Sequence, residues 1–255
     1  MEVKIESKLK LKSGICIGIL DSNNYLVNYF KTINIEKRNI VVNGKKLNQK
    51  ELIEFKKKIS IITSYPIEEY LSYSVYEYMK EVVISKALEL KDYRKKITDS
   101  LKIVGLSESY LNRQVASLSK SESSLLCFAC GLLSNPDILV FNNYFNSLDM
   151  KCSKKIIRLI GQLTEQYDKL VLLTTNKIEC LYEYSKYAIV LKEKEILVEG
   201  SMDTLFEENI EKLLENEIEI PKSIEFSYLV NKNKNVKLGQ FRDIRDLIKD
   251  IYKKV

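Results

Sequence analysis

The sequence predicts an α/β protein whose core is a mostly parallel sheet covered by helices. Three observations predict it. Short apolar runs recur along the chain, each bounded by polar or turn residues. These runs are apolar at nearly every position rather than at alternate ones, which suits strands buried on both faces. Helical periodicity fills the gaps between several of them, and alternating strands and helices argue for a parallel sheet with covering helices.

In chain order the runs lie at 15–20 (ICIGIL), 59–63 (ISIIT), 138–141 (ILVF), 170–175 (LVLLTT) and 188–191 (AIVL). Each has the length of an ordinary strand. Between the third and fourth runs, Ile156, Ile157, Leu159, Ile160 and Leu163 share one helical stripe. Residues 68–117 differ: they hold no clear strand, are rich in Tyr and Lys, and show helix-like spacing in VYEYMKEVVISKALEL. They read as a helical insertion between two halves of the sheet. After about residue 203 the chain is helical again, through FEENIEKLLEN. Ile220-Pro221 breaks that helix, and a last amphipathic helix carries Ile244, Leu247, Ile248, Ile251 and Tyr252.

Composition excludes several functions. The 255 residues are 45% hydrophobic and 30% charged, an ordinary globular balance. There is no histidine, so no imidazole acts as acid, base or metal ligand. Ser-His-Asp hydrolysis, Cys-His proteolysis and most catalytic zinc sites are thereby excluded. Lys+Arg of 41 against Asp+Glu of 35 gives a mild net charge of +6, spread along the chain rather than concentrated as in nucleic-acid binders. Only Arg38, Arg94, Arg113, Arg158, Arg242 and Arg245 carry guanidinium; the lysines are poor at bidentate recognition. No nucleic-acid partner is expected. The five cysteines, an odd number, suit a reducing compartment. Cys127 and Cys130 lie in the apolar run LLCFACGLL and read as core rather than as a redox or metal pair. No stretch approaches the ~18 apolar residues of a membrane span, and the opening MEVKIESKLKLKSG does not read as a signal peptide. A cytoplasmic location is the default expectation.

The most specific stretch is LSKSESSLLCFACGLLSNPDILVFNNYFNSLD, residues 118–149. It resembles the ABC-transporter ATPase pattern, in which LSGGQ opens a helix, a later strand ends in DEPT and a Leu-Asp pair follows. Leu118, Ser119, Asn135, Pro136, Ile138, Leu139, Leu148 and Asp149 match at the family's spacing without a gap. SGICIGIL resembles the strand before the phosphate loop, KISIITSYP the strand and glutamine loop, and EILVEGSMDTLF the last strand and turn. Residues 219–251 resemble the C-terminal extension of energy-coupling-factor ATPases, importers of vitamins and metals. The resemblance implies a RecA-like P-loop NTPase core over 1–205, with a helical subdomain at about 68–134 and a C-terminal extension at 206–255. It also implies that the family segment normally preceding this point, which holds the adenine-stacking aromatic, has no clear replacement.

Against that pattern the functional positions are changed. A phosphate loop needs glycines so that backbone N–H groups close around phosphate, a Lys to reach it and a Ser/Thr to hold Mg²⁺. In DSNNYLVNYF, Asp21, Asn24 and Leu26 stand where the family has glycines, Val27 replaces the lysine, and Asn28 and Tyr29 replace the Ser/Thr pair. Only Asn23 fits. The magnesium-side acid aligns with Asn142, the water-activating Glu with Asn143, the switch histidine with Asn176 and the glutamine-loop residue with Ser64. An amide is no general base near neutral pH and holds a hard cation less well than a carboxylate. Residues 21–30 are expected to run from strand through turn to helix without a nest of inward-pointing N–H groups. No nucleotide or metal is expected in this chain's own site.

The half-site that such a chain gives to a partner is better kept. Ser119 aligns with the signature serine and Asp149 with the loop that crosses over, although Lys120, Ser121 and the anionic, unfavourable Glu122 replace Gly-Gly-Gln. Tyr65, Tyr70, Tyr73, Tyr76 and Tyr78 cluster where the family docks its membrane subunit, and Tyr suits interfaces. The resemblance thus implies a degenerate ATPase-like subunit of a bacterial importer, peripheral on the inner face of the membrane. It would pair with a competent ATPase chain, with ATP and Mg²⁺ at the partner's site. Two rivals stay open: a freestanding regulatory or scaffold pseudo-ATPase, and an active ATPase with unusual residues.

Overall fold

The computed structural model describes residues 1–6, 8–33, 38–86, 88, 92–234, 238–239 and 244–254. The tail of the 75–90 pattern and residues 235–237 and 240–243 of the C-terminal region lie outside the described residues. In chain order the strands are β1 (Glu2–Ile5), β2 (Leu9–Lys12), β3 (Cys16–Leu20), β4 (Ile40–Val42), β5 (Lys45–Lys46), β6 (Ile59–Ile62), β7 (Ile138–Asn142), β8 (Leu170–Thr175), β9 (Tyr187–Lys192) and β10 (Glu195–Ser201). The helices are α1 (Tyr25–Lys31), α2 (Gln49–Lys57), α3 (Val75–Ser85), α4 (Tyr93–Val104), α5 (Lys120–Leu132), α6 (Met150–Glu165), α7 (Ile178–Tyr184), α8 (Leu205–Glu215), α9 (Lys222–Lys234) and α10 (Ile244–Lys254).

All five strand runs read from the sequence enter one six-stranded sheet of order β10-β9-β3-β8-β7-β6. β3 lies parallel between β8 and β9, and β7 parallel between β6 and β8. β8 is buried at every position, as its unbroken apolar run demands. β10 adds the single antiparallel pairing of this sheet. A second sheet of order β2-β1-β4-β5 is antiparallel throughout. Sequence reading missed it because its strands are two to four residues long, too short for a periodic signal.

Local chemistry sets the helix ends. Asn48 with Glu51, Ser74 with Glu77 and Ser119 with Glu122 form capping boxes on α2, α3 and α5. Gly105 closes α4 at φ 77°, a left-handed backbone that costs any residue with a Cβ. Gly18 of β3 is required for contact: a Cβ there would stand 2.5 Å from Ser185 Oγ and 2.8 Å from Leu181. α7 therefore packs directly on the strand that leads to α1. Cys127 and Cys130 are buried in α5, as expected of core. Ile156 and Ile160 turn inward from α6 onto the same apolar cluster.

Candidate functional site

The parallel strands carry the candidate residues to one edge of the sheet. β3, β8 and β7 are neighbours, with Leu20 opposite Thr175 and Asn142 opposite Thr174. Their carboxyl ends release Asp21, Asn176 and Asn142–Asn143 side by side, the place where open parallel sheets put their ligands. Thus Asp21, Asn24, Asn142, Asn143 and Asn176, far apart in sequence, are joined by contact.

Residues 21–30 run from strand through turn to helix as expected. Within this stretch, a side chain of the same loop takes two backbone N–H groups. Asp21 Oδ1 accepts from Tyr25 N at 2.9 Å, and Oδ2 accepts from Leu26 N at 2.8 Å. Asp21 is 4% exposed, so its carboxylate is committed to these donors. Its own amide donates to Thr175 O at 3.0 Å, which fastens the loop to β8. Asn24, in the left-handed region at φ 51°, provides the bend into α1.

The rest of the loop is likewise built inward. Val27 is 1% exposed in the apolar cluster that contains Leu26, Phe30 and Ile17. Tyr29 is buried, donates its hydroxyl to Glu6 Oε1 at 2.7 Å and carries the Arg38 guanidinium over its ring at 4.3 Å. Burial and the Glu6 contact raise its pKa. Asn23 and Asn28 are exposed. A cavity of about 920 Å³ opens beside the loop, lined by Asn28, Tyr25, Tyr29, Arg38 and Lys194 among others. The Lys194 ammonium sits 5.9 Å over the Tyr25 ring.

The three aligned asparagines form one amide network. Asn143 Nδ2 donates to Asn24 Oδ1 at 3.5 Å and to Asn142 Oδ1 at 3.4 Å. Asn143 Oδ1 accepts from Asn176 N at 3.2 Å and from Asn146 Nδ2 at 3.3 Å. Asn146 Nδ2 also donates to Asn176 Oδ1 at 3.2 Å, and Thr175 Oγ1 donates to Asn146 Oδ1 at 3.2 Å. Sequence reasoning missed Asn146, whose only signal was its place in the Asn-rich run NNYFN. Asn143 itself holds φ 49°, a conformation Asn tolerates better than Glu. Ser64 is apart from this network; it is buried, and its carbonyl accepts from Ser124 Oγ at 2.9 Å.

These residues do not fit magnesium triphosphate. Asp21 holds the N–H donors of Tyr25 and Leu26, the lysine position is a core valine, and the side-chain oxygens of Asn142, Asn143 and Asn176 each accept a hydrogen bond from within the chain. Among the described residues no group of three or more His, Cys, Asp or Glu could hold a metal ion.

The second set of residues lies at the start of α5 and α6. Ser119 caps α5, accepting from Glu122 N at 3.3 Å, while Ser119 N donates to Glu122 Oε2 at 2.8 Å. Glu122, an anion in place of the signature glutamine, is engaged within the chain. Its carboxylate turns back to accept from Tyr110 OH at 2.6 Å and Arg113 at 3.1 Å. The Tyr110 hydrogen bond above all, joined by those of Ser119 and Arg113, lowers its pKa to about 2. Ser121 Oγ donates to the Asp149 carboxylate, and Asp149 caps α6 by accepting from Cys152 N at 2.8 Å. Ser121 thereby ties the Ser119 and Asp149 helix ends together.

The tyrosine cluster divides. Tyr65 and Tyr73 are exposed at 48% and 37%, beside exposed Ile67 and Leu71. Tyr70 stacks edge-on against Tyr73 and lies tilted against Tyr78, with centroids 5.2 and 5.9 Å apart. Tyr78 is 4% exposed and belongs to the core, and Tyr76 packs against that core under Arg94. Tyr78 is therefore removed from the surface set expected of it, while Tyr70 and Tyr76 are half-buried.

No family model matches the chain. It is 25% identical over 240 residues to the energy-coupling factor transporter ATP-binding protein EcfA2 of Acetivibrio thermocellus, covering 92% of this chain and 84% of that one. It is 24% identical over 233 residues to EcfA1 of Mycoplasmopsis synoviae, covering 89% and 85%. Among solved structures, cbiO1 of Clostridium perfringens, part of the ABC transporter complex cbiONQ, superposes with a TM-score of 0.66 at 20% identity over 89% of this chain and 87% of that one. The ATP-binding cassette MJ0796, in a dimer bound to ADP and Pi, gives 0.60 at 22% identity over 76% and 88%. The chain has the ABC ATPase fold, a RecA-like P-loop architecture, and resembles energy-coupling-factor ATP-binding proteins in sequence.

Proposed function

We propose that this chain, an ABC-ATPase fold most like the energy-coupling-factor type, is a catalytically inactive ATPase-like subunit of an importer. It sits on the cytoplasmic face of the membrane and pairs with a competent ATPase chain. One observation carries the reading: the N–H donors of Tyr25 and Leu26, which an active loop would turn toward phosphate, are held by the loop's own Asp21. Val27 in the core removes the cation that would draw a triphosphate in. What the chain gives its partner is the Ser119 and Asp149 edge, where both residues sit at helix starts and Ser121 joins them. The exposed Tyr65, Ile67, Leu71 and Tyr73 supply an apolar patch for a membrane subunit.

Calorimetric titration of the purified chain with Mg-ATP tests the inactive site. No binding tighter than about millimolar, near −4 kcal/mol, is expected. Micromolar binding overturns the reading. Purification from its host tests the partnership: a competent ATPase and a membrane subunit should accompany the chain, and a freestanding chain would make it a scaffold instead.

A further inference from the structure

Glu122 stands where the resembling family has glutamine, within the first turn of the helix that Ser119 caps. Its Oε2 accepts from the Ser119 amide at 2.8 Å, and its pKa of about 2 keeps it ionised near neutral pH. A full negative charge therefore lies within one turn of the hydroxyl proposed to meet a partner's γ-phosphate. Two anions so placed repel each other. A segment outside α5 answers that charge.

Arg113 follows the short 3₁₀ helix Glu108–Asn112. Its Nη1 donates to Glu122 Oε1 at 3.1 Å and its Nη2 to Ser117 O at 3.0 Å, so both arms of the guanidinium are engaged. The guanidinium carbon sits 4.7 Å from the centre of the Tyr110 ring, and the Tyr110 hydroxyl donates to the same Glu122 oxygen at 2.6 Å. The backbone holds the arrangement as well: Arg113 N donates to Tyr110 O at 3.0 Å, and Arg113 O accepts from Val75 N at 2.9 Å. The Arg113 and Glu122 side chains are 37% and 25% exposed, so water screens their charges only in part. A half-exposed ion pair ordinarily contributes little to stability. Cancelling a carboxylate at this place is a separate effect, which acts only when another anion arrives.

We propose that Arg113 is a positioning residue for the partner's ATP hydrolysis: it neutralises Glu122 and, with Tyr110, holds that carboxylate back on this chain, so that Ser119 meets the γ-phosphate without an opposing anion. The inference rests on the proposed function above, in which the Ser119 edge completes a competent partner's site. Asp149 is likewise bonded within the chain, to Ser121 and Cys152. Lys120 and Lys151, both exposed at the starts of α5 and α6, have the sign that suits an arriving anion.

The test is a double-mutant cycle on steady-state ATP hydrolysis by the complex with the competent ATPase chain. Arg113→Met should lower turnover at least about fivefold in the parent, but less than about twofold where Glu122→Gln is already present, because no charge is then left to cancel. Arg113→Lys, which keeps the cation and loses the fork, should lose less than Arg113→Met. The Ser117 contact is lost from both Arg113→Met chains, so a folding defect would lower both alike. An equal loss in the two backgrounds, or no loss in either, overturns the proposal. Ser119→Asp in the same assay separates this inference from the reading beneath it. If Ser119→Asp is damaging and Arg113→Met silent, the proposed function stands and the positioning role falls; a silent Ser119→Asp removes both.

Discussion

The carboxylate of Asp21 accepts a hydrogen bond from the backbone N–H of Leu26 at 2.8 Å, across the turn where relatives of this fold meet phosphate. With the Tyr25 bond beside it, a side chain of the loop fills the anion position of its own helix. The loop is then ordered without a ligand.

Asp21→Ala should therefore destabilise the chain by about 1–3 kcal/mol, the penalty of stranding buried donors. Asp21→Asn, which keeps one acceptor oxygen, should cost less. Urea denaturation checks both. Neither variant should bring Mg-ATP binding tighter than about millimolar, because Val27 still offers no cation.

Glu122 sets a pH dependence. Its pKa of about 2 lies below the ordinary carboxylate value of ~4.3. The unfolded chain takes up the proton first, so the stabilisation is complete above the ordinary value and is lost as pH falls toward about 2. Glu122→Gln keeps a capping-box side chain without the charge. The parent should be more stable near about pH 6, and the gap should close as pH falls from about 5 to about 2. Urea midpoints across that range check it.

The two kinds of tyrosine should separate cleanly. Tyr78→Ala should cost about 3–5 kcal/mol, as deletion of a large core side chain does. Tyr65→Ala should stay within about 0.5 kcal/mol of the parent yet weaken capture of the membrane subunit. Thermal denaturation and pull-down distinguish them.

Much of the fold was legible in the chain itself. The run at 138–141 is apolar throughout and that at 170–175 up to its two Thr residues, and both sit on strands buried on both faces. The β1–β2 and β4–β5 pairs were not legible, since strands of two to four residues are too short for a periodic signal to stand out. At the site, the family resemblance located Asp21, Asn142, Asn143 and Asn176. It could not show that Asp21 folds back on Leu26, that Asn146 links Asn143 to Asn176, or that Glu122 turns toward Arg113. Each depends on a side-chain direction that only the packed neighbours decide.

Steady-state ATP hydrolysis by this chain reconstituted with the competent ATPase chain proposed as its partner tests the central claim most directly. Ser119 caps α5, so the variant must keep the cap; Ser119→Asp does, and sets a carboxylate against the partner's γ-phosphate. Asn143→Asp keeps the left-handed backbone and the acceptor oxygens of the amide network. The account predicts that Ser119→Asp lowers turnover about 10- to 100-fold, the worth of one transition-state contact of ~1.4–2.7 kcal/mol, while Asn143→Asp changes it less than about twofold. A silent Ser119→Asp together with a damaging Asn143→Asp would contradict it, placing the chemistry in the site read here as closed.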